Sequence, residues 1–352
     1  MYVKKTVIAA ILICAVAQFA FAGGDSGGGG GGWDETRFRM GGYLETGIDV
    51  HHRVNRDETE TRAIARGEIE ISARPARGVR AEIGIEYSHR DTFMTIDKFY
   101  AQYSLPGNGM VRAGVMKKTF GLEERAGLTE RYFHRRSIIN SELKDLGFLA
   151  HDLTLMYRHD LNDNWRFTGG VAWAMEDSLR YLQNYSARYN MTENMMFILA
   201  AIIRHYNIPE SVTEVFHVEG ISTTFATSAS FRYESEKWVS ESEVTLGTNP
   251  RIKIREMNRN AAILGIRQQG YFPINVNTKT LRQIIPIAEA ALYWDDLTSG
   301  NFDTQIRGGL AFGFTNNSAL QFRNTYGMIL RTQDGDTTIR RHRFDSEVVV
   351  IF

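Results

Sequence analysis

Residues 62–88 read RAIARGEIEISARPARGVRAEIGIEYS, and their rhythm is two. Ala63, Ala65, Gly67, Ile69, Ile71 and Ala73 share one face of an extended chain, with Arg66, Glu68, Glu70, Ser72 and Arg74 on the other. Pro75-Ala76-Arg77-Gly78 supplies a turn, after which Val79, Ala81, Ile83, Ile85 and Tyr87 alternate with Arg80, Glu82, Glu86 and Ser88. Successive side chains of a strand point to opposite faces, so each segment of about ten residues predicts a strand with one apolar and one charged surface. A soluble sandwich alternates too. Here, however, the apolar face holds small and medium residues with aromatics near the strand ends, and the other is dense in charges of both signs. Lipid on one side and water on the other fit that division better than a packed core does.

The same alternation continues in both directions. In the preceding segment Phe38, Met40, Leu44, Ile48 and Val50 oppose Arg39, Tyr43, Glu45 and Asp49. Roughly sixteen such segments follow from the pattern, at 38–50, 62–74, 79–90, 94–105, 110–118, 150–160, 165–176, 196–207, 213–223, 224–234, 238–248, 258–270, 284–295, 305–315, 318–331 and 340–352. Short turns at 75–78, 106–109, 161–164, 209–211 and 316–317 alternate with longer connections, notably 119–149 and 177–195. Residues 271–283 are long for a turn, which leaves the count at sixteen or fourteen. The expected fold is all-β: a transmembrane antiparallel β-barrel over 38–352, closed so that no backbone group or strand edge is left unpaired. Its termini and Asn108 belong on the periplasmic side, and residues 119–149 and 177–195 at the outer face or in the lumen, with Asn190 reachable from outside.

Composition agrees. In 352 residues, 41 Lys+Arg balance 41 Asp+Glu, and a neutral chain lacks the basic excess expected of a nucleic-acid binder. Charged residues at 23% are too many for a bundle of membrane helices, and one cysteine excludes a disulfide framework. Lys4 and Lys5, the apolar run Thr6 to Val16 and Ala20-Phe21-Ala22 read as a signal peptide over 1–22, removed with Cys14. Residues 23–37 are a Gly-rich tether that cannot pack. At the other end Phe344, Ser346, Val348, Val350 and Phe352 share one face, and the chain stops at an aromatic residue, the expected recognition signal for barrel-assembly machinery. The address is the outer membrane of a Gram-negative bacterium, among its lipid and lipopolysaccharide.

The chain resembles the phosphate-selective porin O/P family. The resemblance rests on Val111-Arg112-Ala113-Gly114-Val115-Met116-Lys117-Lys118-Thr119-Phe120-Gly121-Leu122-Glu123-Glu124, followed by Thr129-Glu130-Arg131. Residues 287–293 (IAEAALY) and 308–317 (GGLAFGFTNN) continue it later in the chain. Lys118-Thr119 replaces the more usual proline before Phe-Gly, and the chain is shorter than typical members. The resemblance implies a sixteen-stranded barrel, a homotrimer, and a third long loop folded into the lumen as a constriction. Residues 119–149 are that loop.

Between 117 and 136 stand Lys117, Lys118, Arg125, Arg131, Arg135 and Arg136 against Glu123, Glu124 and Glu130, a local excess of three positive charges. With Lys98 and Arg112 from the strands, these residues are the candidate lining of a constriction that favours small anions, because a ring of one sign concentrates its counter-ion in a narrow pore. The rival expectation is that they pair internally and pin the loop to the wall. Inward charges on the early strands are mixed, with Arg39, Arg66, Arg74, Arg80, Arg90, Lys98 and Arg112 beside Glu45, Asp49, Glu68, Glu70, Glu82 and Glu86. Catalysis has no support: the histidines show no metal-ligand spacing, and G-x-S-x-G, H-E-x-x-H and a phosphate loop are missing. No metal, cofactor or nucleic acid is expected. The expected function is a passive porin for small hydrophilic solutes with a modest, phosphate-like anion preference. The competing one is a surface barrel with a binding or structural role, using Tyr181, Tyr185 and Tyr189 of residues 177–195 as a contact patch.

Overall fold

The computed structural model describes residues 38–88, 94–123, 132–133, 135–149, 151–173, 179–207, 221–254, 259–276, 278–314 and 319–352. Sixteen long strands form one sheet that closes on itself. They are β1 (Phe38–Arg53), β2 (Glu58–Ala76), β3 (Val79–Ser88), β4 (Met94–Leu105), β5 (Gly109–Lys117), β6 (His151–Asp160), β7 (Trp165–Trp173), β8 (Leu179–Thr192), β9 (Met195–Asn207), β10 (Ile221–Glu234), β11 (Val239–Ile254), β12 (Arg259–Tyr271), β14 (Gln283–Trp294), β15 (Phe302–Gly313), β16 (Leu320–Gln333) and β17 (Asp336–Ile351). A two-residue strand, β13 (Ile274–Asn275), folds back on the start of β14. Each long strand pairs antiparallel with its chain neighbour, and β1 pairs with β17 from Tyr43↔Ile351 to Arg53↔Arg341. Phe352 completes the closure, its N–H donating to Gly42 O at 3.0 Å while Gly42 N–H donates to Phe352 O at 2.9 Å.

The alternation expected over residues 62–88 holds on either side of a β-bulge between Ala73 and Ala76, where Ala73 is buried and Arg74 is exposed instead of the reverse. Ile69, Ile71 and Ile85 face outward and are exposed, as are Leu44, Leu155, Leu199, Leu246 and Leu310 on other strands, whereas Glu45, Asp49, Glu68 and Glu82 are buried on the inside. An exterior this apolar would aggregate in water and is matched by hydrocarbon. Aromatic rings band it at both ends. At the turn end Trp165 stacks on Tyr189 at 4.5 Å and Trp238 on Phe272 at 6.0 Å; at the loop end Tyr181 meets His205 at 4.5 Å and Trp294 meets Phe302 at 5.2 Å.

Two expectations are corrected. Residues 177–195 are not a long loop: most of them form β8, whose Leu182, Asn184 and Ser186 point inward and whose Tyr185 is exposed on the lipid side. Hydropathy hid this strand because its inner face carries a leucine and its outer face a glutamine, Gln183, to which Tyr185 Oη donates. No break falls between 223 and 224 either, since Ile221–Glu234 is one strand of 14 residues, and residues 213–220 with the turn expected at 209–211 lie outside the described residues. One strand gained and one lost keep the total at sixteen, but the end assigned to Asn190 reverses. Its N–H donates to Asn164 O at 2.9 Å, and Asp160 N–H donates to Asn108 O at 3.1 Å, so Asn190 and Asn108 share the turn end. The long 271–283 turn costs no strand; β13 occupies part of it.

Candidate functional site

The connection from β5 to β6 turns into the barrel instead of rising above it. At its base Lys118 is buried, with Nζ 2.6 Å from Asp152 Oδ2 and donating to Phe148 O at 3.3 Å. Thr119 Oγ1 accepts from Asn184 Nδ2 at 3.2 Å on β8, and Leu122 N–H donates to Glu243 Oε2 at 2.6 Å on β11. Gly121 between them has φ +58°, and a Cβ there would lie 2.6 Å from Glu243 Oε2, so the approach needs glycine on both counts.

The returning limb carries helix α1 (Ile138–Asp145), capped by Ser137, whose side chain accepts from Asn140 N–H at 3.3 Å. Its Ile138, Ile139 and Leu143 join Phe120, Leu146, Phe148 and Leu149 in one apolar cluster with inward Leu182, Ala200, Ile202, Ala226, Ile263 and Ala291. Large apolar side chains of the loop therefore meet small or aliphatic wall residues where a water-filled lumen would need polar ones. Gly265 makes room for Ile139, which lies 2.8 Å from where its Cβ would be.

Beneath the helix is a buried ionic network. Glu123 accepts from Ser137 N–H at 2.6 Å, Ser137 Oγ at 2.5 Å and Asn140 Nδ2 at 2.8 Å, with Arg267 Nε 3.8 Å away. Burial pushes the Glu123 carboxyl up, but Arg267, Arg307 and the Ser137 hydrogen bonds outweigh it and hold the pKa at about 2. Arg267 Nε also donates to Glu289 Oε2 at 2.9 Å, while Arg307 Nε donates to Glu289 Oε1 at 2.8 Å and its Nη1 donates to Arg135 O at 2.6 Å. The same guanidinium lies 4.2 Å over the Phe133 ring.

The described residues of the loop thus cover the wall from β7 to β15 and leave β1–β5 open. On the open side its edge presents Arg135 and Arg136. Arg135 Nη2 donates to Asp49 Oδ2 at 3.0 Å, and Arg136 interacts electrostatically with Arg66, Glu86 and Asp97 on the facing strands. Burial lowers the Arg136 pKa, with Glu123 acting against it.

The candidate residues therefore divide. Lys117 reaches Asp97 at 3.7 Å; Lys98 pairs with Glu70 and, at 3.2 Å, with Glu82; Arg112 donates to Gln102 Oε1 at 2.9 Å and lies 4.2 Å over the Tyr100 ring. These three and the Arg135–Arg136 edge face the open half, whereas Lys118 sits in the loop's base. Arg125 and Arg131 lie outside the described residues.

Charge is sorted around the lumen in a way the early strands did not reveal. β1–β4 turn Glu45, Asp49, Glu58, Glu60, Glu68, Glu70, Glu82 and Glu86 inward against Arg39, Arg53, Arg62, Arg66, Arg80 and Lys98, a sector with a modest excess of acid. β5–β10 turn Arg112, Arg158, Arg166, Arg188, Arg204 and Arg232 inward against Asp152, Asp160 and Glu234. The parity of Arg158 and Arg166 was readable, but Arg188 joins the row only once β8 is seen as a strand. At the loop end, between α1 and β15–β17, a cavity of about 730 Å³ is lined by Arg53, Arg56, Arg135, Arg136, Lys144, Arg307, Arg340, Arg341 and Arg343 against Glu142, Asp145, Asp303 and Asp345.

Comparison with solved structures places this architecture. Over 90% of this chain and 99% of the other, it matches the anion-selective porin from Comamonas acidovorans with a TM-score of 0.64 at 10% identity. The outer membrane channel DcaP of Acinetobacter baumannii gives 0.62 at 10% identity, covering 90% of this chain and 97% of that one. A trimer form of OmpT from Vibrio cholerae gives 0.59 at 10% identity, with 90% and 99% covered. The fold is that of the outer-membrane porins. No family model and no curated protein sequence matches the chain, so the likeness is one of architecture. A porin fold with a lipid-matched exterior fits the outer membrane of a Gram-negative bacterium.

Proposed function

We propose that this protein is a passive outer-membrane channel for small hydrophilic solutes, with a modest preference for anions. The observation that carries the preference is the outer cavity of about 730 Å³, where nine Lys and Arg side chains face four carboxylates. An entrance of that sign raises the local anion concentration, and arginines are suited to oxyanions because their donors form a planar fork. Among its lining residues Arg341 has Arg53, Arg62, Arg340 and Arg343 as charged neighbours, so its field is not locally cancelled. The arginine row on β5–β10 extends the same sign toward the periplasmic mouth. Phosphate-like solutes and assembly as a homotrimer belong to this reading, as does recognition of the terminal Phe352 by the assembly machinery. The reading as a surface barrel with a binding or structural role loses its motive, because Tyr181, Tyr185 and Tyr189 stand on a membrane strand.

The test is the reversal potential of the purified protein in a planar bilayer under a KCl gradient near 0.1 M, where a Debye length of about 10 Å lets wall charges act across a pore. Anion preference supports the proposal. A cation-selective wild type would refute the preference and leave the channel standing.

A further inference from the structure

The loop's open edge is held from two sides. From β15, Arg307 donates to the carbonyls of Arg135 and Arg136, at 2.6 and 3.3 Å, and the neighbouring Phe133 packs with Ile285, Ile287 and Ala311. From β1, Asp49 takes the Arg135 side chain. The Asp49 carboxylate is buried, and one oxygen, Oδ2, is shared between Arg135 Nη2 at 3.0 Å and Arg343 Nη2 at 2.6 Å. Arg343 has a second carboxylate, Asp345, at 3.0 Å. Without Asp49, two guanidiniums would face each other, and Arg343 would stay with Asp345.

We propose that Asp49 is a positioning residue for conduction: a strut from β1 that, through Arg135, fixes the inner loop's edge and so sets the width of the opening along β1–β5. The inference rests on the channel reading above, and concerns what holds the aperture instead of what passes it. Two features single out this contact. It joins the loop to the half of the wall that the loop leaves uncovered, whereas the apolar cluster and the Glu123 network bind the covered half. And its buried carboxylate bridges the loop's Arg135 to Arg343 of β17, so that it ties the loop edge to two wall strands at once.

Single-channel conductance in 1 M KCl is the readout, because a Debye length of about 3 Å there screens the altered charge and leaves the width. Asp49→Asn and Arg135→Gln are each expected to raise conductance by about 1.5-fold with added open-channel noise, and the double variant to rise no further than either, since partners in one contact are not additive. Asp49→Glu keeps the charge and should return conductance and noise to the wild-type level. Unchanged conductance in both single variants, or effects that add in the double, overturns the strut. Should Asp49→Asn fail to insert, Arg135→Gln on the loop decides the same question without touching the barrel. Reversal potential at 0.1 M is recorded separately: a cation-selective wild type whose variants still widen removes the anion preference and keeps the strut.

Discussion

The two halves of this lumen are built for different tasks. From β7 to β15 the wall offers the inner loop Ala172, Leu182, Ala200, Ile202, Ala226, Ile263 and Ala291, and the charges beneath its helix, Arg267, Arg307 and Glu289 with the loop's own Glu123, are buried and paired. From β1 to β5 the wall offers solvent a lattice of ion pairs in which many side chains stay partly exposed, such as Arg80 at 43% and Lys98 at 21%. Neither half contains a core in the globular sense. One is a docking surface closed by the β5–β6 connection, the other a hydrated wall. Sequence change should therefore cost stability in the first and alter only conduction in the second.

The largest effect is expected from removing Arg267. It is almost fully buried and serves Glu123, Glu241 and Glu289 at once, at 3.8, 3.7 and 2.9 Å. Arg267→Ala leaves those carboxylates without their shared cation, and breaking a buried pair costs about 3–5 kcal/mol. The expected result is an inner loop open to protease in folded, heat-modifiable barrel. A loop as resistant as wild type would mean the network contributes nothing to docking.

Apolar docking is tested next. Leu143 is buried in the loop's cluster, and truncation to alanine is expected to cost about 2–5 kcal/mol of docking free energy, according to how far the cavity collapses. A truncation on the outer surface, Leu155→Ala, meets lipid and leaves no cavity, so its protease pattern should match wild type. Equal sensitivity at both sites would erase the distinction between the halves.

How much of this was legible follows the same divide. Alternation showed the barrel because lipid imposes one polarity on every outward residue, and residues 62–73 and 79–88 display it on either side of a single bulge. It failed at β8 because Leu182 serves the loop rather than water, and the inner face of a covered strand has no reason to be polar. The loop's inward fold came from resemblance and from the spacing of strands, not from its own residues, since Ile138, Ile139 and Leu143 would look the same on any buried helix. The role of Lys118 was misjudged for a physical reason as well: charge counted along a sequence ignores that Asp152, far along the chain, sits 2.6 Å from its ammonium. The acidic and basic sectors needed strand parity across the whole barrel, which one misplaced strand scrambles.

A pH series probes the covered half from another side. The Glu123 carboxyl titrates at about 2 in the folded loop against an ordinary 4.5, so its folded pKa is depressed. The unfolded or undocked loop then binds the proton first, and the docking it supplies is fully present above about pH 4.5 and is lost as pH falls toward 2. Conductance and protease resistance should accordingly be flat from pH 7 to about 5, with resistance declining below 4.5. Glu123→Gln should remove that acid dependence and lower resistance at pH 7. A wild-type loop that loosens already near pH 6 would assign the transition to another group.

The smallest effect on stability should come from the open half, and it is the one that reports on function. Arg80 Nη2 lies 2.6 Å from Glu82 Oε2, and the arginine side chain is 43% exposed. An ion pair so open to water contributes about 0–1 kcal/mol, so Arg80→Gln should leave heat-modifiability and loop protection unchanged. It should still shift the reversal potential toward cations at 0.1 M salt, because Glu82 loses a neutralising neighbour in a sector already rich in acid, and the shift should fade near 1 M, where screening shortens to about 3 Å. Arg341→Gln in the outer cavity should move it further in the same direction, since that side chain stands among cations. If Arg80→Gln destabilised the barrel as Arg267→Ala does, the open wall would be structural after all. If neither arginine variant moved the reversal potential, the conduction path would have to run elsewhere than along β1–β5 and the basic entrance.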